Sequence, residues 1–151
     1  PPRLRIIGDG PMRNELERMR DWLNLHDTVE FFGWIDRQDV AAAFRTADIF
    51  VLSSRYEGMA NTLLEAMASG LAVIATDVEG CRDVINDGEN GFIVEAEDAV
   101  AIASAIDTIT ADNALRQRLA ANARNSVEQY FTWERAASGL LEITANIVAE
   151  H

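Results

Sequence analysis

Short apolar runs alternate with stretches of helical periodicity along nearly the whole chain, and no other feature of the sequence constrains the fold as much. The runs Leu4 to Ile7, Val29 to Phe32, Asp48 to Leu52, Ala72 to Ala75 and Phe92 to Val94 each end in a turn or loop, and helical spacing resumes after them. A strand joined to a parallel neighbour needs a long crossover, usually a helix, so this order predicts an α/β fold with a parallel sheet wound with helices. Periodicity also names the inward faces: Leu16, Met19 and Leu23 on the first helix, and Val40, Ala43, Phe44 and Ala47 on the second. The third strand, Asp48 to Leu52, is apolar inside and is expected at the sheet centre. A helix from Asn61 to Ser69 closes on Gly70 as its C-cap residue, and a short one around Glu79 to Asn86 precedes the turn Asp87-Gly88-Glu89-Asn90-Gly91. The C-terminal third reads as three helices covering the sheet. Their inward residues are Val100, Ala103 and Ile106, then Leu115 and Leu119, then Trp133, Ala137, Leu141, Thr144 and Val148.

A chain of 151 residues fits one domain, here 1–151, and one of that size buries roughly 68–70% of its unfolded surface. Pro1 and Pro2 run straight into the first strand, which suggests a domain cut from a longer protein. No apolar stretch approaches the eighteen or so residues of a membrane span, and no charged-then-apolar leader opens the chain. Cys81 stands alone, as in proteins of reducing compartments, so a cytoplasmic location is expected. Acidic residues number 25 against 13 basic ones, all of them Arg. Nucleic acid is thereby excluded as a partner, because phosphate backbones are held by clustered positive charge.

In open parallel sheets ligands sit beyond the carboxyl ends of the strands, so the loops after Ile7, Phe32, Leu52 and Ala75 are expected to share one rim. The loop Ser53 to Ala60 carries a carboxylate, Glu57, next to Gly58, where the backbone can approach a ligand closely. The helix after it points the N–H groups of Asn61 to Leu64 toward the crevice, an arrangement that favours a phosphate or diphosphate. Glu57 and Glu65 are acceptor-only when ionised and suit the hydroxyls of a sugar or ribose. A phosphate flanked by hydroxyls describes a nucleotide sugar.

The run Glu57-Gly58-Met59-Ala60-Asn61-Thr62-Leu63-Leu64-Glu65-Ala66-Met67-Ala68-Ser69-Gly70 resembles the signature of the retaining GT-B glycosyltransferases grouped as glycosyltransferase family four, two Glu separated by seven residues. Ile7-Gly8-Asp9-Gly10-Pro11, Val29 to Trp34, Ala47 to Ser53, Asp87 to Phe92 and the helix from Phe131-Thr132-Trp133 onward agree in order and spacing, so the resemblance covers essentially the whole chain. It implies the Rossmann-like, carboxy-terminal, donor-binding half of such an enzyme, with the amino-terminal acceptor-binding domain as its missing partner. It also implies that Glu57 contacts the donor sugar as the catalytic residue and that Glu65 holds the ribose hydroxyls. The backbone of Gly58, Met59, Ala60, Asn61, Thr62 and Leu63 would hold sugar and diphosphate, and Gly33 and Trp34 the base. Transfer would proceed with retention, without a metal and without a cofactor other than the nucleotide-diphosphate sugar itself.

Some positions depart from the family pattern. Ala72 stands where Pro is usual, Glu79-Gly80 where Gly-Gly is frequent, and Asp83 where Glu is common. The family's basic pair, an Arg and a Lys that neutralise the leaving diphosphate, falls outside this chain, so the domain alone is expected to bind donor weakly and not to catalyse. Two other functions compete: a nucleotide-sugar epimerase of the same architecture, for which no acid and base pair is evident, and a non-catalytic nucleotide-binding domain. Gly8-Asp9-Gly10 begins like a dinucleotide fingerprint, but Pro11 and Arg13 break it. His26 reads as a surface residue, Arg55 as a partner for a nearby carboxylate, and Trp34 as packing or a platform for a base. The base, sugar and acceptor are not written in the sequence, and a lipid acceptor at a membrane gains no support from an acidic chain.

Overall fold

Strands and helices alternate as expected in a computed structural model of the chain, which describes residues 2–149 apart from the side chains of 146, 148 and 149. Its contacts divide into two compact units, Pro1–Ala43 and Phe44–His151. Each is described by itself.

In the first unit β1 (Leu4–Ile7) runs parallel to β2 (Val29–Gly33), Leu4 opposite Val29 and Ile6 opposite Phe31. The register shifts after Ile6, which sets Ile7 opposite Gly33. Between them α1 (Arg13–Trp22) is steadied by the Arg13–Glu17 pair at 2.8 Å, one helical turn apart. The expected inward face of α1 is not buried: Leu16, Met19 and Leu23 all stay exposed. A two-stranded sheet offers too narrow a surface to cover a helix. Helix α2 (Arg37–Phe44) leaves Val40 and Ala43 half-buried, whereas Ala47 lies beyond its end and is exposed.

The second unit holds a parallel sheet in the order β3 (Ile49–Leu52), β4 (Ala72–Thr76), β5 (Phe92–Val94). The central strand is therefore β4, not β3 as the apolar run suggested; every residue of β4 is buried, while those of β3 are half-buried. Ala72 and Ile74 pack against Ile109 of α5 (Ala99–Ala111) and Leu119 of α6 (Asn113–Tyr130), flanked by Ile49, Val51, Phe92 and Val94. Burying each such Ile or Leu contributes roughly 1.5–3 kcal/mol.

Helix α3 (Asn61–Ala68) ends one residue sooner than expected, with Ser69 as its cap. Gly70 follows at φ +78°, donating to the Met67 carbonyl at 2.9 Å, while Leu71 donates to that of Ala66 at 3.2 Å. These two bonds make a Schellman ending, which requires the left-handed conformation that Gly adopts without strain. After α4 (Glu79–Arg82), shorter than expected, the turn into β5 is organised by Asn90. Its carboxamide accepts from the Asn86 N–H at 2.8 Å and donates to the Val84 carbonyl and to Ser126 Oγ on α6.

Helix α5 is capped by Asp98, whose carboxylate accepts from the N–H groups of Val100 and Ala101. Its inward stripe is Ile102, Ala105, Ile106 and Ile109; Val100 and Ala103 are exposed. Because α5 is apolar nearly all round, spacing alone did not fix the face. Leu115 and Leu119 of α6 face inward as expected. In α7 (Trp133–Ala149) the expected inward residues Trp133, Ala137, Leu141 and Thr144 are exposed, and the side chain of Val148 is outside those described. Ala72 and Ile74 of β4 are covered by α5 and α6. Among the described residues no helix is long and apolar enough to cross a membrane.

Candidate functional site

The chain leaves β3 at the carboxyl edge of its sheet, where the loop 53–60 is fastened from two sides. Thr76, the last residue of β4 and only 1% exposed, donates its hydroxyl to the Ser54 carbonyl at 2.5 Å, with the Leu52 carbonyl 3.4 Å away. Ser54 in turn donates Oγ–H to Glu57 Oε1 at 3.0 Å. From the other side Gly80 of α4 donates its N–H to the Glu57 carbonyl at 3.1 Å. A Cβ on Gly80 would lie 2.8 Å from the Glu57 oxygen and 2.9 Å from that of Gly58, so this approach of two backbones is open only to Gly. Gly58 itself faces open space.

Between loop and α4 lies an open cleft of about 430 Å³, lined by residues 55–58 on one wall and by Asp77, Val78, Glu79 and Arg82 on the other. Arg82 grips Asp77 with two parallel bonds, Nε to Oδ1 and Nη2 to Oδ2, the latter 2.8 Å. Those bonds hold the Asp77 carboxyl below its ordinary 3.8 and push the Arg82 guanidinium up. The pair is thus intact above the ordinary carboxylate value and is lost only as pH falls through the lowered one. Arg55 pairs with Glu97 at 2.8 Å, the carboxylate partner expected for it. His26 lies exposed beside Asp21.

Cys81, behind the α4 wall, is buried, and burial first and the Glu57 charge second push its thiol up. It is therefore protonated at neutral pH, and the thiolate is the reactive form. Iodoacetamide is expected to alkylate Cys81 at least about 10²-fold more slowly in the folded protein than in urea, as read by mass spectrometry, since reaction waits on opening. Equal rates would show that α4 does not hold.

Of the residues expected to form a site, Glu57 and Gly58 line this cleft. Met59 and Thr62 are exposed, Ala60 and the Leu63 side chain are buried, and Glu65 is half-buried within α3. No side chain caps α3, which leaves its first turn to backbone chemistry. Two of the four N–H groups expected to face the crevice are engaged: Asn61 donates to the Met59 carbonyl at 2.9 Å and Leu64 to that of Ala60 at 3.0 Å. Helix geometry claims the second, and a tight turn the first. Thr62 and Leu63 supply the other two. The sequence points to the loop after Ala75 and marks Glu79 only as a departure from the family pattern; nothing in it singles out Asp77 or Arg82. Among the described residues no group of three His, Cys, Asp or Glu side chains is placed to hold a metal ion.

Gly33 and Trp34 belong to the first unit. Gly33 is buried at φ +71° and accepts the Gly8 N–H at 2.7 Å; a Cβ there would lie 2.9 Å from Arg13 Nη1. The Trp34 ring is 76% exposed. Of the four loops expected at the rim, those after Ile7 and Phe32 belong to the first unit and those after Leu52 and Ala75 to the second.

Comparison with known proteins agrees with this architecture. The family Glycosyl transferases group 1 matches residues 1–126. The lipopolysaccharide core biosynthesis glycosyltransferase LpsE of Rhizobium meliloti is 36% identical over 141 residues, which are 93% of this chain and 41% of LpsE. Among solved structures, sucrose-phosphate synthase from Thermosynechococcus elongatus superposes with a TM-score of 0.85 at 33% identity, over 99% of this chain and 39% of that one. Anabaena HepE in complex with UDP and glucose superposes with a TM-score of 0.87 at 23% identity, over 97% of this chain and 41% of HepE. The chain spans about two fifths of the length of these proteins. It belongs to the glycosyl transferases group 1 family and has the Rossmann-like fold of a GT-B half domain.

Proposed function

We propose that this domain, across residues 1–151, binds the nucleotide-diphosphate sugar of a retaining glycosyltransferase of family four, and that the intact protein passes the sugar to an acceptor hydroxyl with its anomeric configuration kept. The observation that carries the reading is the Glu57 carboxylate, half-buried and bonded to Ser54 in the wall of an open cleft, on the loop that leads into the uncapped start of α3. Glu57 contacts the donor sugar, and Glu65 takes the ribose hydroxyls. The backbone of Gly58 to Leu63, with the amides of Thr62 and Leu63 foremost, meets the diphosphate, and Gly33 and Trp34 meet the base. No metal takes part in this reading. The acceptor is the business of an amino-terminal domain, in keeping with relatives more than twice as long as this chain. A lone, buried Cys81 fits a cytoplasmic setting.

Calorimetric titration of the intact protein with UDP and then UDP-glucose tests the assignment; HepE, which shares the fold, supplies the choice of ligand. Glu65→Ala is expected to weaken nucleotide binding about 10- to 10²-fold, the worth of a hydrogen bond to a charged group. Undiminished binding by that variant would remove Glu65 from the site. Nucleotide binding indifferent to the sugar would favour a non-catalytic nucleotide-binding domain instead.

A further inference from the structure

The carboxylate at the cleft is not held by its own loop alone. Ser54 Oγ donates to Glu57 Oε1 at 3.0 Å, and the Ser54 carbonyl accepts the Thr76 hydroxyl at 2.5 Å. Thr76 is a polar side chain 1% exposed at the end of a strand otherwise made of Ala, Val and Ile. Val would fill that place with the same shape, and the buried hydroxyl is retained only at the cost of finding it partners. Those partners are the Leu52 and Ser54 carbonyls, the points where β3 stops and the Glu57 loop begins.

We infer that Thr76 is a positioning residue for Glu57, acting through Ser54: the hydroxyl fixes the Ser54 peptide, and Ser54 aims the carboxylate into the cleft. The inference rests on the reading of Glu57 as the residue that meets the donor sugar. It assigns no contact with substrate to Thr76, which acts from inside the sheet, 22 residues along the chain from Ser54.

The test uses the intact protein and the variants Thr76→Val, Thr76→Ser, Ser54→Ala and Glu57→Gln, each alone and the first also combined with Glu57→Gln. Amide hydrogen exchange is read over residues 54–60, and turnover as UDP release from UDP-glucose. Thr76→Val and Ser54→Ala are expected to speed exchange in that loop. Thr76→Val is also expected to lower kcat by about 10-fold or more with KM for UDP-glucose nearly constant, because a small misplacement of a reacting group costs rate before affinity. Thr76→Ser, which keeps the hydroxyl, should restore most of the rate. On the Glu57→Gln background Thr76→Val should cost nothing further, since the two act as a unit. Unchanged exchange in Thr76→Val overturns the inference, as does a loss that is undiminished on the Glu57→Gln background or that Ser does not repair. If Glu57→Gln is inactive while Thr76→Val turns over normally, positioning fails and the donor-site reading stands. If Glu57→Gln turns over normally, both fall.

Discussion

Glu57→Gln in the intact protein is expected to lower the rate of sugar transfer by about 10²- to 10³-fold, a rise of roughly 3–4 kcal/mol in the barrier. The substitution removes a charge and little else. Gln keeps an oxygen for the Ser54 hydroxyl, and the bond from Gly80 goes to the residue 57 backbone carbonyl, which any side chain leaves in place. The melting temperature should therefore stay close to that of the parent, which separates a chemical loss from a folding one. Release of nucleoside diphosphate at saturating donor gives kcat, and calorimetry with UDP alone should show unchanged affinity. A rate within a few-fold of the parent would mean that no charge develops near Glu57 during transfer. The same variant carries an internal control: with the Glu57 charge gone, the Cys81 thiol loses one of the two influences that push it up, so its titration should move toward the ordinary thiol range.

Gly80→Ala is expected to harm both stability and activity. The added Cβ meets the Glu57 oxygen at 2.8 Å, the Gly58 oxygen at 2.9 Å and the Gly58 carbonyl carbon at 3.0 Å. All three are backbone atoms, so no side chain can rotate away and the loop itself must shift. Overpacking of this kind costs about 1–3 kcal/mol, or about 2–10 °C of melting temperature at this size. The displaced atoms belong to Glu57 and Gly58, and if Glu57 meets the sugar as proposed, a shift on the order of 1 Å there can cost about 10²-fold in rate. Gly58→Ala is the contrasting case: its Cβ would meet open space, and the melting temperature should hardly move. If Gly80→Ala melts with the parent, α4 does not press on the loop as closely as these distances require.

Strand positions were legible because their cue is local. Val29 and Phe92, like Ala72, open strands where an apolar run opens, and Gly70 ends α3 within a residue of the expected place because left-handed backbone narrows the choice to Gly. Helix faces were less so. In α5 every third or fourth residue is apolar on more than one side, and the stripe from Ile102 to Ile109 was decided by where β4 lies. In α7 the amphipathic pattern is plain, yet Trp133 and Leu141 stay exposed. Pattern says which face is apolar, not whether anything covers it. Glu57 could be picked out because it stands in a loop just before a helix, within a long resemblance. Its supports could not. Ser54 and Thr76 meet only after β3 and β4 pair with Leu52 beside Ala75, and the Gly at position 80 does not by itself say which backbone it lets approach.

The core over β4 has a direction in time as well as in space. Ile109, Leu119 and the Ser126 hydroxyl that holds Asn90 all lie downstream of the strands they secure. As a ribosome extends the chain, the loop bearing Glu57 and the whole of β4 emerge first, and the residues that shelter Ala72 and Ile74 follow only with α5 and α6. Until then Ala72 and Ile74 lack the side chains of Ile109 and Leu119 that cover them. A chain shortened to end before α6 would therefore leave Ala72 and Ile74 exposed, the kind of apolar surface on which partly folded chains aggregate.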